Sequence, residues 1–108
     1  MNRQILISRN DYQVWYNMGV NLSKSRKYRQ AITAFDKAIK IKPDYPEALN
    51  NRGNILKVLG RLNSALNNFN LAVNLEPNYY LAWYNRGNLL NDLKPVSYTH
   101  LTLPTNRC

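Results

Sequence analysis

The sequence predicts an all-α fold, a solenoid of antiparallel helix pairs that is truncated in its third pair. Three observations predict it. First, residues recur at a spacing of 34: Trp15, Leu49 and Trp83; Gly19, Gly53 and Gly87; Leu22, Leu56 and Leu90. Across two repeats the same step relates Ala31 to Ala65, Phe35 to Phe69, Ala38 to Ala72, Pro43 to Pro77 and Tyr45 to Tyr79. A fixed period of this length marks a repeat architecture, because each short unit buries its apolar face only against its neighbours. Second, apolar residues inside each repeat fall at helical intervals, as in Ile32, Phe35 and Ile39 or Leu62, Ala65, Leu66 and Phe69. Third, no alternating strand pattern competes within residues 12–93.

Five helices follow, near 12–25, 28–41, 46–59, 62–75 and 80–93. The first helix of each repeat carries Gly19, Gly53 or Gly87, where a neighbouring helix can approach closely. Glycine inside a helix costs about 1 kcal/mol relative to alanine, so its recurrence calls for a packing gain of that order. Ala31 and Ala65 are small for the same reason on the second helices. Trp15, Leu22, Phe35 and Ala38 supply the apolar stripe. Residues 24–27 and Leu59-Gly60-Arg61 read as the turns within repeats. Pro43 and Pro77 end each repeat, since proline cannot continue a helix and pushes Lys42 and Glu76 toward extended backbone. The boundaries expected are 12–45 for the first repeat, 46–79 for the second and 80–94 for the opening helix of a third. Residues 1–11 read as the remnant of a preceding repeat that lacks its proline.

With 108 residues the chain has room for one small domain. No run approaches the roughly 20 apolar residues of a membrane helix, and Ile5-Leu6-Ile7 is too short for a signal-peptide core of about 7–15. The single cysteine, Cys108, excludes a disulfide framework and a multi-thiolate zinc site, and leans toward a reducing, cytoplasmic compartment. The net charge of +9 gathers at Lys24, Arg26, Lys27, Arg29, Lys37, Lys40 and Lys42. No aromatic strand signature or zinc-finger spacing accompanies it, so a solvated face or an acidic protein partner is expected before nucleic acid.

From Pro95 the repeat pattern stops. Residues 96–105, Val-Ser-Tyr-Thr-His-Leu-Thr-Leu-Pro-Thr, resemble the translation of a sequencing-library transposon adaptor. Lys94 is then the last natural residue expected. Tyr98, His100 and Cys108 carry no function on this reading, and residues 95–108 are not expected to form the missing second helix.

The chain resembles the tetratricopeptide-repeat family. Its pattern of large apolar, Gly, Ala, Phe, Ala and Pro positions falls on Trp15, Met18, Gly19, Leu22, Ala31, Phe35, Ala38 and Pro43. In the second repeat it falls on Leu49, Arg52, Gly53, Leu56, Ala65, Phe69, Ala72 and Pro77, and in the third on Trp83, Arg86, Gly87 and Leu90. Arg52 and Arg86 stand where the family usually has Leu; their stems are expected to pack while the heads reach water. The resemblance covers about residues 12–94. It implies a right-handed superhelix whose concave face, lined by the first helix of each repeat, receives an extended peptide or a partner helix.

On that face the candidate residues are Asn17, Asn51 and Asn85, with Tyr16, Asn54, Tyr84 and Asn88. The three asparagines recur every 34 residues. An amide offers donors and an acceptor together, so such a row can pair with a peptide backbone without reading its side chains. The row resembles the asparagine ladder in the repeat domain of the nucleocytoplasmic N-acetylglucosamine transferase. Alternatively, these asparagines stabilise helix packing or face water. Tyr16 and Tyr84 either stack on a ligand or pack beside Trp15 and Trp83. The carboxylate clamp with which some relatives hold chaperone C-termini needs Lys and Asn on the first helix and Lys and Arg on the third. Here Tyr16, Val20, Leu81 and Asn85 stand at those positions and only Asn51 fits, which argues against chaperone-tail capture.

The function expected is therefore a protein-interaction scaffold. The alternatives are the substrate-recruiting arm of a larger enzyme, such as a glycosyltransferase, or a basic surface for nucleic acid. Residues 1–94 hold no nucleophile–base pair, phosphate-cradling glycine loop or metal-ligand cluster, so neither catalysis nor a cofactor is expected of them. The partner expected is another protein or peptide, with no membrane role. Trp83, Leu89, Leu90 and Leu93 lack a covering helix, which points to self-association through the uncapped third repeat.

Overall fold

A computed structural model describes residues 11–94. It contains five helices: α1 (Tyr12–Lys24), α2 (Tyr28–Ile41), α3 (Pro46–Val58), α4 (Leu62–Leu75) and α5 (Tyr80–Asp92). All five start at the residue the sequence predicts, and α1, α3 and α5 end one residue earlier. The described residues contain no strand. The segments 1–10 and 95–108, including the adaptor-like string and the expectation that it forms no helix, lie outside them.

The helix ends follow from local chemistry. The Asp11 carboxylate caps α1, accepting from the backbone N–H groups of Gln13 at 3.0 Å and Val14 at 3.2 Å. Pro46 opens α3 at a position where its missing N–H costs nothing. Each turn within a repeat closes by the same pair of bonds. Lys27 N–H reaches the Leu22 carbonyl and Arg26 N–H that of Ser23, both at 2.9 Å. In the second repeat Arg61 reaches Leu56 at 2.8 Å and Gly60 reaches Lys57 at 3.0 Å. This closure needs left-handed backbone at the middle residue. Gly60 adopts it at φ +82°, and Arg26 holds it at φ +63° despite its Cβ. Lys24, where the expected helix 12–25 and the expected turn 24–27 overlap, is the last residue of α1. Between repeats, Lys42 and Glu76 are extended, at φ −129° and −135°, as the following prolines require.

Packing is sequential: α1 on α2, α2 on α3, α3 on α4 and α4 on α5. The first helices also approach one another, α1 with α3 and α3 with α5. The core is accordingly a row of linked clusters rather than one ball. Ala31, Phe35 and Ala38 of α2 meet Tyr45 and, from the next repeat, Ala48 and Ile55. Leu56, Ala65 and Phe69 meet Leu89 of α5, and Ala72 and Val73 meet Leu49 and Ala82. The helical glycines are explained directly. A Cβ on Gly19 would sit 2.6 Å from the Phe35 ring, and one on Gly53 would sit 2.6 Å from the Phe69 ring. The first two repeats thus each lock an aromatic ring of the second helix over a glycine of the first.

The third repeat corrects one expectation. Leu89 is fully buried against the second repeat and Leu93 packs beside it, so neither waits for a covering helix. The residues left open are Trp83 and Leu90. The arginine heads are also not simply solvated. Arg52 Nε donates to Asn68 Oδ1 at 2.7 Å, and its Nη1 pairs with Asp36 at 2.7 Å. Arg86 Nε likewise donates to Asn70 Oδ1 at 2.5 Å. Because Asp36 and Asn70 are 34 residues apart, the two arginines make the same reach, each back to the second helix of the preceding repeat.

Candidate functional site

The face built by α1, α3 and α5 carries two side-chain bonds that cross repeat boundaries. The Asn51 amide donates to the Tyr16 hydroxyl at 2.9 Å, and the Asn85 amide donates to Asn50 Oδ1 at 3.0 Å. Both span 35 residues, one more than the repeat. They are therefore the same contact, made from one row (17, 51, 85) to the row before it (16, 50, 84). Asn50 in turn donates to the Tyr79 hydroxyl at 3.4 Å and is fully buried. Asn51 and Asn85 thus each commit one N–H to bracing neighbouring first helices. Among the described residues, Asn51 and Asn85 keep the second N–H and the amide oxygen unpaired.

The other candidates divide by exposure. Asn17, Tyr84 and Asn88 are exposed, and Asn54 is half-buried. Tyr16 is half-buried, with its ring centroid 5.8 Å from that of Phe35 and 5.1 Å from that of Tyr45. Trp15 packs against the same cluster as Tyr16, and its ring lies 4.5 Å from the Lys37 ammonium. Asn50 belongs to the neighbouring column 16, 50, 84, so the row 17, 51, 85 alone does not contain it. Its signal was a polar residue at the position where the other repeats carry Tyr16 and Tyr84.

Three phenols cluster here around Glu47. Burial raises the pKa of Tyr45 to about 12, with the neighbouring phenols and the Glu47 carboxylate adding to the effect. Tyr79 is raised by burial and by Glu47, against the opposing bond from Asn50. Tyr16 is raised by burial, against the bond from Asn51. All three are neutral hydroxyls near neutral pH, able to accept from the amides that reach them.

Formal charge on this face is sparse. Lys57 pairs with Asp92 at 3.4 Å. Much of the positive charge lies elsewhere. Lys37 and Lys42 sit over aromatic rings, Lys42 at 4.9 Å from Tyr12 and 5.1 Å from Tyr45. Arg26, Lys27 and Arg29 line an open pocket at the α1–α2 turn with Tyr28, Gln30 and Leu59. Among the described residues no group of three or more His, Cys, Asp or Glu is placed to hold a metal ion, and no helix is long and apolar enough to cross a membrane.

A row of helix pairs, each locked by a ring over a glycine and bridged to the next by repeated side-chain bonds, defines a helical repeat protein. The chain belongs to the TPR repeat family, whose model matches residues 24–60 and 53–93. No match was found among curated proteins. Among solved structures it is similar to the Sgt2 TPR domain from Aspergillus fumigatus, at 25% identity and TM-score 0.74, over 77% of this chain and 55% of that one. It is also similar to the first TPR of Spaghetti (RPAP3) bound to the HSP90 peptide SRMEEVD, at 29% identity and TM-score 0.75, over 81% and 68%. MamA matches at 17% identity and TM-score 0.76, over 82% and 52%, a likeness of fold. The chain therefore spans about half to two thirds of the length of these structures.

Proposed function

We propose that this chain is a protein-interaction module that holds an extended peptide or a partner helix on the face shared by α1, α3 and α5. The observation that carries this reading is the pair of repeated bonds, Asn51 to Tyr16 and Asn85 to Asn50. A free surface asparagine pays rotamer entropy when it binds. An amide tethered through one N–H has already paid it, and offers a fixed acceptor and one further donor. Spaced at successive repeats, such amides suit the C=O and N–H groups of a ligand backbone. Asn17 heads the row, and Tyr84, Asn54 and Asn88 add exposed or half-buried contact surface along it.

The complex of Spaghetti (RPAP3) with a chaperone peptide supports peptide binding as the general mode. The ligand differs, because Tyr16 and Val20 occupy the first clamp position and Leu81 and Asn85 the second. An acidic C-terminus finds no cation at either. The expected ligand is read chiefly through its backbone, and its affinity should depend only weakly on salt.

A displayed library of short peptides, selected on the full chain, tests the proposal. Selected peptides should lose affinity when Asn17, Asn51 and Asn85 are replaced together by Ala, each lost bond contributing about 0.5–1.5 kcal/mol. Peptides that bind the triple variant as tightly as the parent would rule out this face. Steep weakening with salt would favour a phosphate-binding surface instead.

A further inference from the structure

Glu47 is a carboxylate without a counter-ion on the face shared by α1, α3 and α5. It lies in the first turn of α3 and is exposed. The ion pairs among the described residues join Arg52 to Asp36 and Lys57 to Asp92, and none includes Glu47. Lys57 stands ten residues further along α3, about 15 Å away at helical rise. Lys42 is occupied over the rings of Tyr12 and Tyr45. Asp11, the other carboxylate felt by Tyr45, is committed to capping α1.

The surroundings of Glu47 are rich in acceptors. Asn50 and Asn51 follow it by three and four residues, one turn along on the same side of the helix. Asn51 holds the Tyr16 hydroxyl of α1, and Asn50 holds the hydroxyl of Tyr79, the residue that precedes α5. Two phenol oxygens from neighbouring repeats are thus pinned one turn from the Glu47 side chain. Each accepts one amide N–H and keeps further acceptor capacity. Burial raises the pKa of Tyr16, Tyr45 and Tyr79, and the Glu47 carboxylate adds to all three, which puts it within electrostatic reach of the whole cluster. The rings of that cluster already attract one cation, since the Lys42 ammonium lies 4.9 Å from Tyr12 and 5.1 Å from Tyr45.

We propose that Glu47, flanked by the Tyr16 and Tyr79 hydroxyls, is the subsite that takes one lysine or arginine side chain of the bound peptide and so fixes the peptide's register. This rests on the binding face proposed above. A row of equivalent amides pairs with a backbone equally well in several registers, because successive peptide units look alike. The positions equivalent to Glu47 are Gln13 and Leu81, so a charge occurs there once and breaks the degeneracy. The net charge of +9 opposes a run of cations in the ligand. Exposed charges more than about 8 Å away are largely screened at physiological salt, so a single cation in contact with Glu47 remains favoured.

The test selects a displayed library of short random peptides on the full chain, on Glu47→Gln and on Glu47→Lys, and sequences the three pools. The parent pool should carry Lys or Arg at one fixed position. The Glu47→Gln pool should lose that preference, and the Glu47→Lys pool should replace it with Asp or Glu. A parent-selected peptide resynthesised with norleucine for that Lys or Arg should bind the parent about two- to fivefold more weakly, the range of an exposed ion pair. On Glu47→Gln the two peptides should bind alike. The norleucine comparison on the parent decides the question even where a variant loses its fold. Binding peptides with no fixed cation, or a cation preference that persists in Glu47→Gln, overturn the subsite and leave the binding face standing. A selection that yields no binding peptide overturns both.

Discussion

Asn51 donates to the hydroxyl of Tyr16 across the boundary between the first two repeats, at 2.9 Å. The bond gives the asparagine row a structural task alongside any binding role, so the members of the row differ in what their removal costs. Asn51→Ala and Tyr16→Phe should each lower stability by about 0.5–1.5 kcal/mol, the net worth of one such bond. Asn17→Ala should leave stability unchanged, because Asn17 is exposed and bonds to no described residue. Urea unfolding monitored by circular dichroism separates the three variants. Equal stability of Asn51→Ala and Asn17→Ala would show that the bond contributes nothing.

The three glycines should respond to alanine with opposite signs. In Gly19→Ala the new methyl enters the Phe35 ring, and overpacking of this kind costs about 1–3 kcal/mol, which cancels or exceeds the gain in helix propensity. In Gly87→Ala the methyl meets nothing within 4 Å among the described residues, leaving only the propensity gain of about 1 kcal/mol. Thermal melts should therefore show Gly19→Ala below the parent and Gly87→Ala above it. A loss of stability in Gly87→Ala would mean that this side of α5 is already covered.

Alkali should unfold the chain through its phenols. Tyr45 has its pKa raised to about 12, and Tyr16 and Tyr79 are also raised. Below pH 10 the phenols hold their protons in the folded and unfolded chain alike, and stability is fully present. Above pH 10 the unfolded chain ionises first, and stability falls until the folded groups ionise in turn, near pH 12 for Tyr45. Each phenol contributes a slope of up to about 1.4 kcal/mol per pH unit in this window. Tyr45→Phe should flatten the decline in a Tm-versus-pH series; an unchanged slope would mean that Tyr45 does not titrate abnormally.

The 34-residue step made the helices legible because its positions are dictated by packing that recurs in every repeat. Gly19 must be small under Phe35, and Pro43 must follow the end of α2, whatever the protein binds. The candidate face was less legible. Asn17, Asn51 and Asn85 share a column in the sequence, but the bonds run from each column to its neighbour in the preceding repeat. Such a pairing emerges only once the tilt between stacked helices sets Asn51 beside Tyr16 rather than beside Asn17. The same tilt brings Arg52 to Asp36 and Asn68, two contacts that no spacing within one helix could indicate.

Arg52 joins two second helices, and its two bonds should differ in worth. Asp36 is well exposed, with 53% of its side chain accessible, and ion pairs at such sites contribute about 0–1 kcal/mol. Asp36→Ala should accordingly change stability little, and less still in high salt. Asn68 is buried, and its amide N–H is taken by the Ser64 carbonyl at 2.7 Å. Removing Arg52 therefore strands Asn68 Oδ1 without a donor. Leaving a buried acceptor unpaired costs about 1–3 kcal/mol, so Arg52→Leu should destabilise by that order even though leucine suits an apolar helix face. The penalty belongs to the stranded oxygen, so removing the oxygen should remove it. The double variant Arg52→Leu with Asn68→Ala reproduces the apolar pairing of Met18 with Ala34 in the first repeat, and should recover most of the loss. Chemical denaturation of the parent, both single variants and the double completes the cycle. Additive losses, with no recovery in the double variant, would mean that the Arg52–Asn68 bond is not the source of the penalty.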